Sequence, residues 1–135
     1  KISLIEALKV TSNTAEKYWH DHLNKLVINY NQEGFRYLFL VSYVLDSSNK
    51  FDTLCNKLFR YTRTRVPNGH TMKAYNPAFR LEAQSDLQNT RIAECRYTVG
   101  TREILVYHIF VRFWDTSKDR KITDEVFDAI PDDNA

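Results

Sequence analysis

Residues 92–114 read IAECRYTVGTREILVYHIFVRFW, and the Gly100-Thr101 pair inside that stretch sets the register of everything around it. Apolar and polar residues alternate before the pair and again after it, the period of two that marks strands with two different faces. A glycine in the first central position suits a two-residue hairpin turn of type II′. With that turn Val99 faces Arg102, Tyr97 faces Ile104, Cys95 faces Val106 and Ala93 faces His108. One face then collects Ala93, Cys95, Tyr97, Val99, Ile104, Val106 and Phe110, to be packed against helices. The other carries Glu94, Arg96, Thr98 and Glu103 near the turn but Tyr107, Ile109, Val111 and Phe113 farther along. A face that is polar at one end and apolar at the other points to a partner, or a further element, covering the apolar end.

Upstream, the spacing of Ser3 and Glu6 has the form of a capping box and predicts a short helix ending near Thr11. Asn13 and Glu16 repeat the form. Ala15, Tyr18, Trp19, Leu23, Leu26, Val27 and Tyr30 follow the i, i+3, i+4 rhythm of one long amphipathic helix, with Gly34 closing it. Residues 35–45, FRYLFLVSYVL, are apolar on both faces and predict an interior strand, with a helix of that length as the competing reading. Phe51, Leu54, Cys55 and Leu58 return to helical spacing, for a helix from Lys50 to Thr62 that Pro67-Asn68-Gly69 follows with a turn. Strands are expected at Thr71–Tyr75 and Phe79–Ala83, and a short helix at Thr123–Ile130.

The expected fold is therefore α+β: N-terminal helices, one of them long, on a curved antiparallel sheet of about four strands. Residues 1–114 form the domain and residues 115–135 a polar, acidic tail. The order α-α-β-α-β-β-β is similar in architecture to cone-shaped NTF2-like domains and, less closely, to cystatin-like ones. The cystatin-type Gln-x-Val-x-Gly loop is absent, so the resemblance carries no functional residue with it.

At 135 residues the chain suits one domain, and its 43% hydrophobic and 27% charged content is that of an ordinary globular protein. The 13% aromatic share leaves rings to spare for a binding surface. Three glycines and three prolines argue against a many-turned sandwich or barrel. The longest apolar run, Leu38 to Leu45, is far too short to span a bilayer. Starting at Lys1, the chain reads as a processed or excised fragment. Cys55 and Cys95 fit no zinc site or Cys-x-x-Cys motif and read as small core residues, with a disulfide as the alternative in an exported protein. None of ten Asn begins a glycosylation sequon, which favours the cytoplasm over a glycosylated secretory route.

Charge is segregated. Between Thr53 and Leu81 lie six basic residues and no acid; from Asp115 onward seven acids meet three bases. Arg60, Arg63, Arg65 and Lys73, within the basic segment 57–80, are candidate contacts for nucleic acid or an acidic partner, against a solvated face as the simpler account. The acidic tail is long enough to fold back and mask them. His20 and His22, two apart on a helix, point to different faces and cannot chelate a metal together. His108 on the inner sheet face stands where an NTF2-like enzyme places a general acid or base, with Asp46 or Glu82 as partner, against a satisfied core histidine. No catalytic, cofactor or metal motif stands out.

The leading expectation is a non-enzymatic interaction or assembly module that self-associates and meets protein partners through Tyr107, Ile109, Val111 and Phe113. The alternatives are a small-molecule domain or enzyme with a cavity near His108, and polyanion binding through Arg60, Arg63, Arg65 and Lys73.

Overall fold

Residues 3–46, 50–77 and 89–114 are described by a computed structural model of the chain. Strand β1 (Leu4–Val10) leads into helix α1 (Glu16–Asn24), which continues as a π-helix over Lys25–Tyr30. Strand β2 (Tyr37–Asp46), helix α2 (Phe51–Thr64) and strands β3 (Thr71–Asn76), β4 (Thr90–Val99) and β5 (Arg102–Trp114) follow. The sheet order is β1-β2-β5-β4-β3. Both neighbours of β2 run parallel to it, whereas β4 is antiparallel to β5 and β3.

The core explains this arrangement. Leu38, Leu40 and Val44 of β2, Ile104, Val106 and Phe110 of β5, and Cys95 and Tyr97 of β4 are buried in one cluster. Trp19 and Leu23 of α1, Leu26 and Val27 of the π-helix, and Leu54, Leu58 and Tyr61 of α2 join it. Both helices therefore pack on the sheet face that these alternate strand residues present. Two parallel crossovers supply the helices: β1 to β2 through α1, and β2 to β3 at the far edge through α2.

The expected long helix on a curved antiparallel sheet of four strands is corrected by this topology: among the described residues the sheet has five strands, is mixed, and carries two short helices. With its three neighbouring strands β1, β2 and β5 parallel, it is not the NTF2-like or cystatin-like arrangement. The first expected helix is strand β1. Leu4 and Leu8 satisfy a helical four-residue step, but Leu4, Glu6, Leu8 and Val10 also alternate, and pairing with β2 over the whole strand selects the extended form. The Asn13–Glu16 capping box is not made; the N-cap is Ala15 without a side-chain bond, and Thr14 Oγ1 instead accepts the Thr11 N–H at 2.8 Å. Helix α1 ends at Asn24, where i→i−5 bonding takes over, and Tyr18 and Tyr30 of the expected apolar stripe are exposed.

The hairpin is as the sequence predicts, with Val99 opposite Arg102, Tyr97 opposite Ile104, Cys95 opposite Val106 and Ala93 opposite His108. Gly100 takes φ +58°, the left-handed value that a side chain resists. The interior strand, the α2 helix and the Thr71 strand are also present, α2 running two residues past the expected Thr62. The expected strand at Phe79–Ala83, the Thr123–Ile130 helix and the acidic tail lie outside the described residues.

Candidate functional site

Alternation sends the remaining residues of β2 and β5 to the face away from both helices. Cross-strand rows run over it: Ile5, Phe39, Tyr107 and Glu94 form one, and Ala7, Val41, Ile109 and Ile92 the next. A third joins Lys9, Tyr43, Val111 and Thr90. Phe39 and Tyr107 stack with ring centroids 5.4 Å apart, and Tyr43 meets Phe113 edge-on at 4.8 Å. Ile5 is 68% exposed and Phe113 47%. Tyr107, Ile109, Val111 and Phe113, singled out from the sequence, thus share one face with Phe39, Val41, Tyr43 and Ile5, which the sequence reading left out.

The turn end of the same face is charged. Glu103 gathers Lys73 at 2.8 Å, Arg36 at 3.2 Å and Arg96 at 3.5 Å. The Lys73 hydrogen bond is the main reason that its carboxyl is held below the usual carboxylate range. Lys73 is thereby drawn away from the arginines with which the sequence grouped it. Arg60 and Arg63 are exposed on α2, on the helix side of the sheet, and Arg65 at the end of that helix donates to Glu16 Oε1 at 2.7 Å. Lys57 is also occupied, donating to the carbonyls of Ser12 and Thr14. The aromatic sheet face and the arginine group lie on opposite sides of the molecule.

His108 is fully buried, its ring 5.4 Å from that of Trp19 and its Nε2 3.1 Å from Tyr97 Oη. Burial pushes its pKa down to about 3, so the imidazole is neutral at ordinary pH. Among the described residues Nδ1 has no protein hydrogen-bond partner, and the same holds for Trp19 Nε1 and Ser42 Oγ nearby in the core. The Asp46 side chain and Glu82 lie outside what is described. Cys55 and Cys95 are buried free thiols, each pushed up to about 12 by burial.

A third feature was not legible from local sequence. Glu16, His20 and Asn24, spaced by four along α1, hold residues 65–68 in order: Glu16 accepts from Arg65, His20 Nε2 donates to Val66 O at 2.7 Å, and Asn24 Oδ1 accepts from Asn68 N–H at 2.9 Å. One turn away, His22 Nδ1 lies 3.2 Å from Glu6 Oε1 of β1, and the Tyr18 ring meets the imidazole edge-on at 4.7 Å. The two histidines do point apart, as their spacing requires.

No group of three or more metal-ligating side chains is found among the described residues, and none of their helices is long and apolar enough to cross a membrane. Compared with protein-family models, curated proteins and solved structures, the chain matches none.

Proposed function

We infer that this chain is a non-enzymatic assembly module that self-associates through the sheet face opposite its helices. The observation that carries the reading is the set of cross-strand rows centred on Phe39–Tyr107 and Val41–Ile109. An apolar, ring-bearing sheet surface gains most by meeting another such surface about 10 Å away, as in stacked sheets. A second copy fits because a two-fold contact pairs a patch with itself. Within these rows only Lys9 and Glu94, at opposite edges, carry charge, so the centre brings no like charges together. The Glu103 cluster at the turn end then serves as a polar rim.

Sedimentation velocity over a wide concentration range tests this. A reversible dimer is the expected result, and a strict monomer at millimolar concentration overturns it.

A further inference from the structure

The helix side of the molecule, away from the aromatic sheet face, carries a shallow, open polar cleft of about 410 Å³, a volume within the range of small-ligand sites. Its walls come from α1, from the π-helix and from the turn after Pro67. Tyr18, His22 and Asn24 line it from α1, Lys25 and Asn29 from the π-helix, and Asn68 from the turn after Pro67. The π-helix matters to the shape. Its i→i−5 bonding widens the turn that bears Lys25 and Asn29, and such turns are frequent at functional sites.

The chemistry of the lining is distinctive. Three carboxamides each offer donors and acceptors, though Asn24 Oδ1 is already taken by the Asn68 N–H, leaving its NH2 group. Lys25 and Asp21 also line the cleft; their charges are opposite, and Asp21 is already paired with Lys17 at 2.8 Å. With Glu6 behind His22, two acids (Glu6 and Asp21) and two lysines (Lys17 and Lys25) surround the cleft, so their formal charges cancel and no strong net field selects an ion. His22 is held by Glu6, both side chains being largely buried at 14% and 17% exposure, and its Nε2 has no partner among the described residues. Tyr18 supplies an exposed aromatic ring beside it.

We propose that this cleft binds a neutral sugar ring through its vicinal hydroxyls. Adjacent hydroxyls donate and accept together, which matches carboxamides that do both, and the ring's C–H face suits the tyrosine. Glu6 acts as a positioning residue that fixes the His22 ring. A free monosaccharide and the ribose of a nucleoside present the same chemistry.

The test is titration of the isotope-labelled full chain with D-glucose, D-galactose, D-ribose and adenosine, followed by amide NMR. The expected result is a saturable shift of the Asn29 and Asn68 side-chain NH2 signals and of the backbone amides of residues 24–29, with millimolar affinity. Response to D-ribose and adenosine but not to the hexoses assigns the ribose of a nucleoside; response to the hexoses assigns a monosaccharide; response to adenosine alone reports recognition of the base and overturns the proposal. Tyr18→Ala and Asn29→Ala, both at exposed positions, should weaken the response at least tenfold with an unchanged melting temperature. Glu6→Gln should lower affinity while Asn29 still responds. Absence of saturable shifts at these amides with all four probes overturns the proposal, as does a response that Tyr18→Ala and Asn29→Ala leave intact.

Discussion

Tyr97 Oη and His108 Nε2 lie 3.1 Å apart in the core, the histidine with no exposed surface at all. Placing an imidazole there keeps it neutral and makes folding sensitive to acid. The folded pKa is depressed to about 3 from an ordinary 6.5 by burial. Below 6.5 the unfolded chain takes up a proton that the folded chain refuses, so stability is full above that pH and falls as pH drops toward 3. The slope from this one group is at most about 1.4 kcal/mol per pH unit. Urea midpoints of wild type and His108→Gln between pH 7 and pH 5 should diverge in slope, with the variant flatter. Equal slopes would mean that His108 is not the group responsible. The variant's lower absolute stability is a separate effect, since the Tyr97–His108 hydrogen bond is lost.

Cys55 and Cys95 should behave as core hydrophobes in solution. Both thiols are buried, and pKa values near 12 leave almost no thiolate at neutral pH. A chromogenic disulfide reagent should label neither in the native chain and both in urea, with labelling under native conditions limited by opening of the fold. Rapid stoichiometric labelling of either cysteine without denaturant contradicts this burial.

Gly34 and Gly69 offer a matched comparison. Their φ angles are +73° and +76°, so an alanine at either site carries the left-handed penalty of about 1–2 kcal/mol. They differ in surroundings: a Cβ at Gly34 would sit 2.7 Å from an Arg102 guanidinium nitrogen, while one at Gly69 meets nothing within 4 Å. The guanidinium is the end of an exposed, flexible side chain, so Gly34→Ala should exceed Gly69→Ala in a denaturant melt only by the small cost of moving it. Adding Arg102→Ala should remove the excess, and no change on adding it would show that the arginine simply swings aside.

How far the sequence could be read depends on the range of the interaction involved. The β4–β5 register followed from Gly100 and a two-residue period, both local, and it holds at Val99–Arg102, Tyr97–Ile104, Cys95–Val106 and Ala93–His108. The parallel pairings of β2 with β1 and β5 are nonlocal, and no residue of LIEALKV announces its partner. That is why the segment was legible as apolar but not as a strand. The candidate surfaces divide the same way. Tyr107 and Ile109 could be placed on the outer face by counting from the turn, but Phe39, Val41 and Ile5 join them only through the parallel registers. Likewise Asn24 and Asn68, 44 residues apart, carry no mutual signal, and only the fold makes them one wall of a cleft.

Self-association makes the most demanding prediction, because disruption must be separated from unfolding. Ile5 and Phe113 sit toward opposite ends of the apolar rows and are already exposed, so charging them should cost the monomer little. A charge enclosed between two apolar sheets is another matter, since it loses hydration without gaining a partner. Ile5→Glu with Phe113→Glu should raise the dimer dissociation constant at least tenfold, about 1.4 kcal/mol, with a melting temperature at low concentration close to wild type. Ile109→Glu, at the centre of the rows, should abolish the dimer. Arg63→Gln lies on the helix side and should leave association unchanged. If the sheet-face variants dimerise like wild type while Arg63→Gln weakens association, the contact surface is on the helix side instead. If all variants dimerise alike, the association uses neither surface and the sheet face is not its cause.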